Sequence, residues 1–234
     1  FFNIMNRKPV SLNYTFTKLN EIINQGFSSD NGPGDFPIEI RHKRFHGILA
    51  PNFDYRFSTY CLAWAYKEIA ESILPETYII LATGKQGFNT YLFGDWETPF
   101  GIIKTNSSLG KNIIRKFPKL KNDAEHFQED KKIEIQLPFL QFANKEHLSK
   151  INFIPILIGD SSFEDIIEFS DALSDLQNIC FICSSNLTHY GKEYNFIPFI
   201  HSVKDNLHIL DKKLISSILN LNSKEFYELA KKNK

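Results

Sequence analysis

The chain carries no excess of either charge and little sulfur. Its 234 residues include 27 Lys and Arg against 27 Asp and Glu, so the formal net charge at neutral pH is zero. Nothing in that balance suggests electrostatic capture of nucleic acid or of an anionic membrane. No apolar run approaches the ~18 residues of a membrane span. Phe1–Val10 has basic residues but lacks the apolar middle region of a signal peptide. The chain opens on Phe instead of Met, which points to a trimmed amino end. Walker loops, GxGxxG, GxSxG, HxH and HExxH are all missing, as are internal repeats and low-complexity tracts. The three cysteines are odd in number. Cys180 and Cys183 have CxxC spacing but sit in an apolar, strand-like run, where thiols behave as small core hydrophobes. A reducing, cytoplasmic compartment follows as the default.

What the chain does have is apolar bulk. Hydrophobic residues make up 42% of it, with 22 Phe, enough to fill the core of one domain spanning residues 1–234. Short Ile-rich runs bounded by Gly, Pro or Ser read as buried strands at Gly47–Ala50, Tyr78–Ala82, Phe153–Ile158 and Ile179–Ser184. Between them lie helical patterns. Ser58–Ile73 sets Leu62, Tyr66, Ile69 and Ile73 on one face. Ser161–Leu176 opens with Ser161 and Glu164 as a capping box and turns Phe163, Ile166, Ile167 and Leu173 inward. Asn222–Lys232 opens the same way with Asn222 and Glu225. Asp30–Asp35 is a turn-rich loop. Alternating strands and helices imply an α/β fold with a central, largely parallel or mixed sheet flanked by helices. Sites in such sheets gather beyond the carboxyl ends of strands. Pro51-Asn52, Gly84-Lys85 and Asn186–His189 stand at three such ends.

Three strings then carry a resemblance: Trp96-Glu97-Thr98-Pro99-Phe100-Gly101, Ile133-Glu134-Ile135-Gln136-Leu137-Pro138-Phe139-Leu140, and Ser184-Ser185-Asn186-Leu187-Thr188-His189-Tyr190-Gly191. In this order and spacing they resemble the Memo family, also the B component of the AmmeMemoRadiSam group and akin in fold to LigB-type extradiol dioxygenases. The likeness runs from about Arg7 to Tyr227, and Met5–Val10 is similar to the family's basic opening. Relatives usually continue with a further carboxyl-terminal strand, so the resemblance implies a chain lacking that piece.

The same resemblance marks substitutions. Asn52 stands where the family's Pro-His-Ala-Gly-Tyr has His. Lys85 stands at the His of Gly-Pro-Asn-His. Lys131 and Lys132 replace the His and Ser of Glu-His-Ser-Ile-Glu, with Glu134 kept. Asn186 replaces an Asp, Thr188 takes a Ser/Cys slot, and His189 is retained. A non-haem Fe(II) centre wants two imidazoles, an anionic ligand and open positions. A neutral amide is a poor donor to iron, and an ammonium has no lone pair and repels a dication by several kcal/mol at ~4 Å in an intermediate dielectric. The resemblance thus implies a degenerate site, with no cofactor expected.

Each position also has a plainer reading. Asn52 suits a turn. Lys85, Lys131 and Lys132 suit a solvated face. Glu134 and Gln136 alternate with Ile133, Ile135 and Leu137 as one wet face of a strand, and His189 beside Tyr190 suits a structural role. Of the other histidines, His126 is nearest to Lys131 in sequence. Ser184 and Ser185 near His189 lack an orienting carboxylate for a hydrolase.

Taken together, the sequence points to a non-catalytic binding or scaffold protein of this family. Lys85 and Lys131 would receive a small anionic ligand or a peptide. One alternative is a dioxygenase-like oxidoreductase whose iron is held by a rearranged set of His189, Glu134 and His126. A second is a buried, low-pKa Lys85 acting as base or Schiff-base former.

Overall fold

A computed structural model describes residues 6–9, 13–36 and 41–232. The ends of the opening string, Met5 and Val10, fall outside the described residues. The chain divides into two compact units, Phe1–Ser185 and Asn186–Lys234.

The first unit is an α/β layer structure. Its strands are β1 (Gly47–Ala50), β2 (Thr77–Gln86), β3 (Phe88–Thr90), β4 (Trp96–Thr98), β5 (Gly101–Thr105), β6 (Leu120–Asn122), β7 (Asn152–Asp160) and β8 (Ile179–Ser184). The sheet order is β1-β8-β2-β7-β3-β6, with β5 joined to β7 and β4 to β5. The central pairs β1–β8, β8–β2 and β2–β7 are parallel, and β3–β7 is antiparallel. This is the mixed, mostly parallel sheet that the alternation predicts.

Helices cover both faces of the sheet. On one lie α1 (Phe16–Ser28), α2 (Tyr55–Ala70) and α4 (Leu137–Ala143), burying Leu19, Ile23, Leu62, Tyr66 and Phe139 against Tyr78, Ile80 and Ile182. On the other lie α3 (Ser107–Lys116) and α5 (Phe163–Leu173), whose Ile113 and Phe169 pack on Ile79, Ile154 and Ile156. Each fully buried aliphatic side chain contributes about 1.5–3 kcal/mol relative to exposure, so these two layers dominate the fold's stability. Where the β2–β7 register shifts between Thr83 and Gln86, backbone crowds backbone. A Cβ at Gly159 would lie 2.2 Å from Gln86 Cα, so only glycine fits there.

Several boundaries move from those read in the sequence. α2 starts three residues before Ser58, because the Asp54 carboxylate accepts the Arg56 N–H at 2.9 Å and caps the helix. Ile73 then lies beyond its end and is exposed. In α5 the cap is Ser162 instead of Ser161, its Oγ accepting from Asp165 N at 3.0 Å. Phe169 and Leu173 are the residues it buries, and Ile167 stays exposed.

The largest correction concerns Ile133–Leu137. It is not a strand with a wet face. Glu134–Gln136 is a 3-10 turn leading into α4, and Glu134 and Gln136 are both fully buried. Pro138 sits in the first turn of α4, where a missing N–H breaks no helical bond. Ile133, Leu137 and Leu140 bury at helical spacings of four and three.

The second unit holds a 3-10 turn at Lys192–Tyr194, then α6 (Val203–Leu219) and α7 (Ser223–Lys232). Asn222 and Glu225 do cap α7: Asn222 Oδ1 accepts Glu225 N at 3.2 Å, and Asn222 Nδ2 donates to the Glu225 carboxylate at 2.9 Å.

Candidate functional site

The carboxyl ends of β1, β8 and β2 meet the segment 127–136, as expected for a site in an open α/β sheet. Asn52, just past β1, is half-buried, and its Nδ2 donates to Ser184 O at the end of β8 (2.9 Å). Ser184 Oγ donates to Lys132 O (2.6 Å) and accepts from Gln136 Nε2 (2.9 Å). The same amide donates to Pro51 O (2.8 Å), while Gln136 Oε1 accepts from Tyr66 OH (3.0 Å). Tyr66, Gln136 and Ser184 are all fully buried. They form a satisfied polar knot that ties two strand ends to the 3-10 turn. Burial also holds the Tyr66 phenol well above its ordinary pKa, so it remains a neutral donor.

Segment 127–134 is gripped from the amino end of the chain. The Arg7 guanidinium is buried and bonds Glu134 Oε2 (3.0 Å), Phe127 O (3.0 and 3.2 Å) and Asp130 O (2.7 Å). Its charge lies 3.9 Å from the centre of the Trp96 ring. The Arg7 backbone bridges Asp95 and Glu97. Asp130 Oδ2 accepts the Ile133 N–H at 3.0 Å, and burial pushes its carboxyl pKa up. Glu134, expected at the pocket, is therefore bound inside the protein to a cation.

The lysines behave differently. Lys85 lies within β2, near its end, and Lys131 follows Asp130; both are exposed. The exposure of Lys85 removes the desolvation on which a Schiff-base role depends. Lys132 is half-buried, and its Nζ donates to Thr83 O (2.7 Å), on the strand that carries Lys85.

In the second unit, the Asp211 carboxylate accepts the Thr188 N–H at 3.0 Å. The His189 ring lies 4.9 Å from that of Tyr194, and Tyr190 OH donates to Phe199 O at 2.7 Å. Asn186 and His189 are half-exposed or exposed there. The structure thus brings Asn52, Lys132, Glu134 and the end of β2 together in the first unit, and holds Asn186, Thr188 and His189 in the second.

Arg7, Gln136 and Ser184 were not among the binding residues picked from the sequence. Gln136 and Ser184 lie in strings that carry the resemblance, and Arg7 lies in the basic opening likened to the family's. A cavity of about 460 Å³ opens elsewhere, between the amino ends of β2 and β8 and helix α3, lined by Thr77, Asn106, Arg115 and Asp175 among others. None of the residues picked out above lines it.

A family model described as Memo-like protein matches residues 13–234. The chain belongs to the Memo-like family. A MEMO1 family protein of Pyrococcus abyssi is 31% identical over 195 residues, covering 77% of this chain and 66% of the relative. One from Methanopyrus kandleri is 31% identical over 183 residues, covering 74% and 64%. One from Nitrosopumilus maritimus is 30% identical over 237 aligned positions, covering 96% and 80%. The chain spans just under two thirds of the length of the first two relatives.

The iron that a resemblance to dioxygenases would imply can be tested against this Memo-like chain's own donors, and they do not fit it. Asn52 offers an amide whose nitrogen is committed to a strand end, Lys85 and Lys131 offer ammonium groups, and the Glu134 carboxylate is held by Arg7. Among the described residues, no three His, Cys, Asp or Glu side chains stand close enough to hold a metal ion. His126 stands nearest to Asp123, 3.3 Å away, although that contact lacks hydrogen-bond geometry. No described helix is long and apolar enough to cross a membrane.

Proposed function

We propose that this Memo-like chain is a non-catalytic binding or scaffold protein, whose sheet edge has given up a metal for a hydrogen-bonded knot. It needs no resident cofactor and works in the cytoplasm. Its ligand is a small anion or an acidic peptide, received by Lys85 and Lys131, with Asn52 at its margin. The observation that carries this reading is the Asn52–Ser184 bond. Where the family resemblance expects an imidazole, this chain has an amide that fastens β1 to β8. The position has become a joint of the scaffold. The Lys132–Thr83 bond supports the second half of the reading, because it sets the Lys132 ammonium, next in sequence to Lys131, against Thr83, two residues before Lys85 on β2.

The rearranged oxidoreductase is less well supported. It requires Glu134 as a ligand, and releasing Glu134 would strand the Arg7 guanidinium in a buried site, at a cost of several kcal/mol.

Thermal shift with a panel of anions (phosphate, sulfate, citrate, and an acidic peptide) tests the proposal. At [L] = 100 Kd a ligand stabilises by about 2.7 kcal/mol, a readily measured rise in Tm. The expected result is a rise with at least one anion that is lost in Lys85→Ala and in Lys131→Ala. No shift across the panel, or a shift unchanged in both variants, contradicts it.

A further inference from the structure

The cavity of about 460 Å³ at the amino ends of β2 and β8 takes no part in the function proposed above, and all its lining residues belong to the first unit. Its volume falls within the range of small-molecule sites, about 300–1,000 Å³. One wall is a single face of α3. Ser108, Asn112 and Arg115 follow one another there at helical offsets of four and three, with Leu109 and Lys116 alongside. Asp175, Leu176 and Gln177, in the connection from α5 to β8, form the opposite wall. Thr77 and Ile179, partners across β2 and β8, form the floor, with Glu76 beside them.

Contacts within the unit fix this shape. Lys116 Nζ lies 2.5 Å from both Asp175 carboxylate oxygens and joins the two walls. Thr77 Oγ1 donates to Asn152 Oδ1 (2.8 Å) and accepts from Asn106 Nδ2 (2.9 Å), which ties the floor to the start of α3. Leu109, Leu176 and Ile179, one from each wall and one from the floor, are half-buried and pack on the core layer of Ile154 and Phe169. The four charges around the cavity divide into used and unused. Lys116 and Asp175 neutralise each other. Arg115 makes one hydrogen bond among the described residues, accepted by Asn112 Oδ1 at 3.3 Å, and most of its five N–H donors stay uncommitted. The Glu76 carboxylate accepts from Asn178 Nδ2 at 3.1 Å, a neutral donor. Among the described residues, neither Arg115 nor Glu76 has an ion-pair partner.

We infer that this cavity binds a small zwitterion, an α-amino acid with an aliphatic side chain. The class follows from what the lining leaves unused: one cation, one anion and an apolar surface. Arg115 receives the carboxylate, whose two oxygens match the guanidinium fork. Glu76 receives the ammonium. Leu109, Leu176 and Ile179 cover the side chain. A simple anion would pair Arg115 but leave Glu76 facing it with a like charge, and a simple cation would do the reverse with Arg115. The inference is independent of the anion proposed for Lys85 and Lys131, which lie outside this lining.

Titration of the full chain with L-leucine, followed by backbone amide NMR shifts, tests it. The expected result is saturable binding with a Kd below about 10 mM, and shifts centred on residues 76–77, 106–116 and 175–179. N-acetyl-leucine lacks the ammonium and leucinamide lacks the carboxylate. Each should bind about fivefold more weakly or worse, the weight of one exposed ion pair. Glycine, without the aliphatic part, should also bind more weakly than leucine. Arg115→Ala and Glu76→Gln should each weaken leucine binding by a similar factor. Both residues are exposed, and Gln keeps the acceptor for Asn178, so the fold should stand. Lys85→Ala should leave leucine binding unchanged. No saturable binding overturns the inference, as do shifts centred elsewhere or a loss in Lys85→Ala. It also falls if either blocked analogue or glycine binds as tightly as leucine, or if either lining variant is without effect.

Discussion

Replacing Arg7 by Ala removes the centre of a buried charge network. Glu134 would be left fully buried without its counter-ion, and the Phe127 and Asp130 carbonyls would each lose a charged donor. Breaking a buried pair by deleting one partner costs about 3–5 kcal/mol. Exposed pairs such as Lys18–Glu21 contribute only about 0–1 kcal/mol each. Against a total stability of about 5–15 kcal/mol, the Arg7 loss is a large fraction. Urea unfolding followed by tryptophan fluorescence reads it, because Trp96 is buried beneath the Arg7 guanidinium. The expected result is a much lower midpoint with an unchanged urea dependence. The double variant Arg7→Met, Glu134→Leu should recover most of the loss, since apolar side chains can replace a buried ion pair at little cost. A single-variant loss below about 1 kcal/mol would refute the argument, as would a double variant damaged by the sum of both changes. Amide exchange in 127–134 should also accelerate in Arg7→Ala, because Arg7 holds that segment down.

Two further outcomes follow from the titrating groups. Burial raises the Asp130 pKa, so in the folded state this carboxyl resists ionising. Stability linked to it is fully present below the unfolded value of about 3.9 and is lost as pH rises through the higher folded value. Asp130→Asn keeps an acceptor for the Ile133 N–H and removes that loss; its stability relative to wild type should therefore rise from acid toward neutral pH, and a flat or opposite difference in urea midpoints would contradict the burial argument. Burial pushes the Cys180 thiol up to about 12 and raises Cys183, whereas Cys61 is exposed. At pH 8, Ellman's reagent should titrate one thiol promptly in the native chain and all three after unfolding; prompt native reaction at Cys180 would contradict the packing of β8.

The sheet's spine was legible because its strands are continuous apolar runs bounded by Gly, Pro or Ser. β1 and β8 have the bounds that the sequence predicts, and β2 and β7 differ only at their ends. β3, β4 and β6 escaped notice because three residues are too few to display an alternation. Glu134-Ile135-Gln136 misled for a related reason. Polar and apolar residues alternate there, but both polar side chains point into the core, where Arg7 and Tyr66 satisfy them. A period-two pattern reports exposure only when buried polar groups lack such partners, and the partners here are 127 and 70 residues distant in sequence. The substituted positions were visible because the resemblance said where to look. What they do instead was not visible. An Asn beside Pro reads as a turn, and only the fold shows its amide reaching the end of β8. Lys132, passed over in favour of Lys131, is the lysine that contacts the strand end.

The measurement closest to the central claim is the iron content of the full chain after anaerobic loading with Fe(II) and desalting. With Asn52 fastened to Ser184, lysines in place of imidazoles, and Glu134 bound to Arg7, the expected content is far below one iron per chain. One tightly held iron per chain, displaced by neither desalting nor a weak chelator, would contradict it.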